Sequence, residues 1–107
     1  MAAVKTFAAL INYPLDVVER RAPHRSDHLS YMETLRLEGR ALMGGAFADP
    51  VDGALILYRA ETVEEVRRMM DEDPYGKIGL FDDVRIREWT VAVGAPPSEP
   101  SPLRRGL

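Results

Sequence analysis

Residues 40–60 read RALMGGAFADPVDGALILYRA, two short apolar runs separated by ADPVDG. The Asp, Pro and Gly of the middle segment supply turn chemistry, so residues 40–47 and 54–60 are expected as two strands of a hairpin. Downstream, Thr62-Val63-Glu64-Glu65 has the form of a capping box, and Val66, Met69 and Met70 follow at helical spacing. Asp73-Pro74 should end that helix, because the residue before proline is pushed out of the helical region. Residues 75–83 are then a connection. Residues 84–93 form a last strand whose apolar phase shifts from Val84 and Ile86 to Trp89, Val91 and Val93, which predicts a bulge or burial on both faces.

Upstream of the hairpin, Gly39 suits the C-terminal cap of a helix running from Pro23 to Glu38. Leu29, Met32 and Leu35 are its expected core-facing stripe. Residues 14–21 read as an irregular lead-in, and VKTFAALINY at residues 4–13 as the first strand, closed by Pro14. The order β-α-β-β-α-β is that of the ferredoxin-like split βαβ motif, an α+β fold with a four-stranded antiparallel sheet and both helices on one face. The other face should alternate apolar and polar residues, yet the first strand carries Val4, Ala8 and Leu10 in one phase and Phe7, Ala9 and Ile11 in the other. A face without helices that is still apolar wants cover, and a second copy of the chain is the simplest cover.

Composition sets the outer bounds. With 107 residues there is room for one core, placed here in residues 1–94, while residues 95–107, APPSEPSPLRRGL, read as a loose Pro/Ser-rich tail. Apolar residues at 46% and charged residues at 29% fit a soluble globular chain. A net charge of −3 with no basic stripe argues against nucleic acid as a partner. No apolar run is long enough to span a bilayer and the first residues lack signal-peptide character, so a cytoplasmic location is expected, with no membrane partner. The absence of cysteine removes disulfides and thiolate chemistry.

Both histidines lie in RAPHRSDHLSY, residues 21–31, four apart and so on one face of a helix. Three readings of His28 compete: a packed helix histidine, a metal ligand with His24, or a general base or acid. The metal reading lacks a full ligand set, since a catalytic metal usually takes about three protein ligands and the third would have to arrive from afar. The acid-base reading needs a carboxylate on one ring nitrogen to fix the tautomer, and Asp73, held by Pro74 at a helix exit, is the candidate. It is also simply an Asp-Pro turn former. Tyr31 lines a pocket or packs; Arg25 binds an anion or is solvated. Gly44-Gly45 fits neither GxGxxG nor a P-loop and is read as close backbone approach or a bulge.

Taken together, Arg25-x-x-His28-Leu29-x-Tyr31, Gly39, Gly44-Gly45-Ala46 with Asp49, Asp73-Pro74-Tyr75 and Glu88-Trp89 resemble the YciI-like, or YCII-related, domains over nearly the whole chain up to Trp89. The resemblance implies a ferredoxin-like dimeric α/β barrel in which His28 and Asp73 are the active-site pair, and it makes Arg25, Tyr31, Gly45 and Tyr75 candidates for substrate binding. One departure is Gly45-Ala46, where the family often has Gly-Pro. Among relatives of the family are a dehydrochlorinase of a chlorinated aromatic diol and, in the wider superfamily, muconolactone isomerases and cofactorless monooxygenases. By that analogy the expected function is a small cofactor-independent lyase or isomerase acting on a small cyclic or aromatic molecule. The rival expectation is a non-catalytic module that holds a small ligand in the same pocket.

Overall fold

The computed structural model describes residues 3–94; the tail at residues 95–107 lies outside them. Strand β1 (Lys5–Asn12) leads through helix α1 (Val17–Arg21) and a 3-10 turn (Ala22–His24) into helix α2 (Arg25–Leu37). Strands β2 (Ala41–Ala46) and β3 (Gly53–Ala60) form the hairpin. Helices α3 (Val63–Glu72) and α4 (Pro74–Lys77) then precede β4 (Asp83–Glu88). The antiparallel sheet has the order β2-β3-β1-β4, so the first strand lies between the third and the last, as the split βαβ motif requires.

Packing selects one phase of each two-faced strand. Phe7, Ala9 and Ile11 of β1 and Ala54, Ile56 and Tyr58 of β3 pack with Leu35 of α2 and with Val66, Met69 and Met70 of α3 in one core. Val84 and Ile86 of β4 pack against it from the edge. The opposite phase leaves Leu10, Met43 and Trp89 exposed.

Local chemistry explains the boundaries. At the end of α2, Gly39 takes φ +77°, a left-handed conformation in which a side chain is strained. Arg40 N–H then donates to Leu35 O at 2.8 Å and Gly39 N–H to Arg36 O at 3.0 Å, the paired bonds of a Schellman motif. Thr62 caps α3 by accepting from Glu65 N–H at 3.3 Å, while the Glu65 carboxylate reaches back to Glu61 N–H at 3.2 Å.

Five expectations need correction. The lead-in contains a regular turn, α1, with Val17 fully buried in a second small cluster beside Tyr75 and Leu80. The connection after Pro74 begins as a helix, because proline at its first position needs no N–H partner and the Asp73 side chain caps it. The last strand stops at Glu88, and Trp89 N–H makes a further bond to Thr6 O at 2.8 Å. The paired register with β1 ends at Phe7 opposite Glu88, although β1 itself begins at Lys5. The register irregularity lies not in β4 but in β2, between Ala41 and Met43. Lastly, Leu29 is half exposed, whereas Leu35 is buried.

Candidate active site

His28 stands one helical turn into α2, and Asp73 is the single residue between α3 and α4. Forty-five positions apart in the chain, they meet with His28 Nδ1 and Asp73 Oδ1 at 2.7 Å. Asp73 is wholly buried, and the His28 side chain is 12% exposed. The same Oδ1 accepts from Tyr75 N–H at 2.9 Å. One oxygen thus anchors the imidazole and caps α4. The extended backbone of Asp73, ψ 133°, is what proline at the next position demands.

An ionised carboxylate accepts only, so Nδ1 carries the proton in this pair. In the neutral ring Nε2 is then left as an acceptor, the state a general base requires. Tyr75 fixes the ring plane. Its ring stacks on the imidazole with centroids 3.7 Å apart and planes 5° from parallel. Gly76 keeps α4 close enough for this: a Cβ at that position would come within 2.0 Å of Met70 O, a clash that would push α4 away from α3.

The imidazole faces a cleft of about 350 Å³. That is within the size range of small-ligand sites. Leu29 and Met32 from α2 and Ala54 and Ile56 from β3 give it an apolar wall. Gly44, Gly45 and Ala46 of β2 extend that wall beside β3, where a Cβ on Gly44 would lie 3.2 Å from Ile56 Cγ1. Tyr13, Arg21 and Arg25 complete the lining, and Tyr75 closes it beside His28.

Of the residues expected at the site, the structure brings His28, Arg25, Gly45 and Tyr75 to the cleft and Asp73 directly behind it. Tyr31 is placed elsewhere: its hydroxyl donates to Met69 O at 2.6 Å, tying α2 to α3, and it is absent from the lining. Sequence reading missed Tyr13 and Arg21 as cleft residues. The one available signal was the position of Arg21, four residues before Arg25. No group of three or more potential metal-ligating side chains occurs among the described residues.

Burial governs the phenols around the pair. It pushes the Tyr13 hydroxyl up to about 12, with Tyr75 adding to the shift and Arg21 opposing it. Tyr31 also rises to about 12, from burial and then from the charge of Glu72. Tyr58 is driven further in the same direction, chiefly by burial and then by Asp73. All three therefore stay protonated at neutral pH.

No curated protein matches the chain. Among solved structures, 5-chloro-2-hydroxyhydroquinone dehydrochlorinase from Burkholderia phenoliruptrix AC1100, in complex with 2,5-dihydroxybenzoquinone, aligns with a TM-score of 0.68 at 22% identity over 79% of this chain and 93% of its own. A candidate antibiotic biosynthesis monooxygenase from Bacteriodes thetaiotaomicron VPI-5482 aligns with a TM-score of 0.57 at 13% identity over 92% and 96%. At these identities the likeness is one of fold, the antiparallel ferredoxin-like α+β arrangement described above. The YCII-related domain profile matches residues 6–90, and the chain belongs to the YCII-related domain family.

Proposed function

We propose that the protein is a small enzyme of the lyase or isomerase type, in which His28 moves a proton on a small cyclic or aromatic substrate and Asp73 orients the imidazole. The observation that carries this reading is the 2.7 Å contact between His28 Nδ1 and the buried Asp73 carboxylate, on the edge of a cleft of about 350 Å³. With Nδ1 committed, Nε2 is the atom that takes the proton from an acidic C–H or O–H and returns it elsewhere on the substrate or to water. One positioned histidine contributes on the order of a hundred- to ten-thousand-fold to such a step. Asp73 gives the imidazolium a partner while it holds the proton.

The dehydrochlorinase of like fold suggests the first compounds to try. Incubation with 5-chloro-2-hydroxyhydroquinone, followed by chloride release, tests the lyase form; hydrogen exchange of 2,5-dihydroxybenzoquinone in deuterated water tests proton transfer alone. Both should fall by at least about a hundredfold in His28→Ala and Asp73→Asn. The two losses should be strongly non-additive, as for residues acting as one unit. Binding of the quinone without exchange or turnover, unaltered by either substitution, would instead mark a ligand-holding module.

The same proposal includes a cytoplasmic homodimer. Its support is the outer sheet face, where Leu10, Met43 and Trp89 are 39%, 53% and 48% exposed. Light scattering at micromolar concentration should give twice the monomer mass, and a stable monomer would remove the barrel from this account.

A further inference from the structure

Three arginines lie within six positions at the start of the helical region, and they are used differently. Arg20 is engaged by the protein: its guanidinium donates to Ile78 O at 2.8 Å and lies 3.7 Å from the Asp16 carboxylate. Arg21, the last residue of α1, and Arg25, the first of α2, both line the His28 cleft. Neither has an ion pair or side-chain hydrogen bond among the described residues.

A partnerless arginine in open solvent is ordinary. These two converge with the imidazole on one concave surface, and Arg21 is itself half-buried. No aspartate or glutamate lines the cleft. Asp73, the carboxylate nearest to it, is wholly buried behind His28, with Oδ1 already accepting from His28 and from Tyr75 N–H. A chain of net charge −3 therefore presents at its cleft two guanidinium groups with no carboxylate in contact among the described residues.

We infer that the cleft takes a single-ring molecule bearing an anionic oxygen group, a carboxylate or a ring oxyanion, held by Arg21 and Arg25 while the ring lies on the apolar wall beside His28. The assignment of this cleft as the reactive site rests on the function proposed above; the anion preference is a separate property. Guanidinium presents paired N–H donors that match a carboxylate edge, which makes arginine the fitting cation for it. Arg25 and His28, three residues apart on α2, are neighbours on one helix face, so the charged group and the reacting position can engage the same ring. Met32 and Ile56 offer an apolar surface between them.

The test uses benzoate and its neutral counterpart benzamide as probes, with binding followed by NMR titration. Benzoate should bind the wild-type protein about tenfold or more tightly than benzamide, and the difference should shrink as salt is raised. Arg21→Gln and Arg25→Gln should each weaken benzoate several-fold and leave benzamide unchanged, so benzamide also reports that the cleft is intact. The double substitution should erase the preference. His28→Asn separates the two claims: it should abolish proton exchange yet keep the preference for benzoate. Equal affinity of wild-type protein for the two probes overturns the inference. So does a preference that survives the double substitution, or the failure of benzoate to bind at its highest soluble concentration. A lost preference in active protein leaves the proton-transfer reading standing, whereas an intact preference without exchange leaves only the anion site.

Discussion

Two pairs of a basic and an acidic side chain in this molecule have the same closest distance, 2.7 Å: Arg36 with Glu33, and His28 with Asp73. The first has the better local geometry, with Arg36 Nε donating to Glu33 Oε2 at 2.8 Å and Nη2 to Oε1 at 2.7 Å. Both its members, however, stand in water on one helix, three residues apart. Arg36 draws the Glu33 carboxyl below its ordinary range and is itself raised. Solvent screens that attraction, and α2 would place the two residues together without it. The second pair joins α2 to the α3–α4 junction and has one member out of water altogether. Removing either partner leaves a buried polar group uncompensated. Burial and sequence separation therefore decide what a close pair contributes to the fold, more than distance does.

The largest effect expected from this contrast is that of Asp73→Ala. It deletes the partner of His28 and the cap of α4 together, and should cost about 2–4 kcal/mol in urea denaturation, the loss of a hydrogen bond to a charged group together with a cap. A double-substitution cycle with His28→Ala should show strong coupling. If Asp73→Ala costs no more than loss of an exposed cap, the contrast collapses. Tyr31→Phe removes the 2.6 Å bond to Met69 O, another tie between α2 and α3, and should lower stability by about 1 kcal/mol.

Thr62→Ala, at an exposed cap with a 3.3 Å bond, should cost about 0.5–1 kcal/mol by the same measurement. The alkaline limb carries a further test. Tyr13 and Tyr31 ionise near 12 in the fold, against 10 for an ordinary phenol. The unfolded chain loses these protons first. Their stabilising effect is therefore complete below pH 10 and is lost as pH rises toward about 12. Unfolding midpoints measured at increasing pH should fall over that window, less steeply in Tyr31→Phe. Smallest of all, Arg36→Ala should leave the denaturation midpoint unchanged within error and show no coupling to Glu33→Ala. Clear destabilisation there would give the exposed pair a role this comparison denies it.

Local chemistry made much of the fold legible from residues alone. The capping box at Thr62, the left-handed cap at Gly39, the ADPVDG turn and Asp73-Pro74 each act within a few bonds, so neighbouring residues suffice to read them. They mark the ends of α2 and α3 and the place of the hairpin, and with the strand patterns they imply the β-α-β-β-α-β order. The end of β4 was not legible, because where its pairing with β1 stops, at Phe7 opposite Glu88, is a contact between segments far apart in the chain. The helix at residues 74–77 was hidden by the same proline that ends α3: the Asp73 side chain turns the break into a new start.

At the site, the residue pattern singled out His28, Asp73, Arg25, Tyr31, Gly45 and Tyr75, while only packing decided how they are arranged and turned Tyr31 toward Met69 O, outside the cleft lining. Sequence could not rank Leu29 against Leu35, which share a helical stripe, because the sheet covers one end of α2 and the cleft opens at the other. Nor could it separate Arg20 from Arg21. Adjacent on a helix, they point about 100° apart, and the carbonyl of Ile78 and the carboxylate of Asp16 claim the first. The stacking of Tyr75 under His28 and the approach of Gly76 to Met70 O are contacts between separate helices. Propensities, caps and turns were written in the sequence because they are short-range. The open nitrogen of His28, the cationic rim and the apolar wall exist only once the sheet has brought distant segments together.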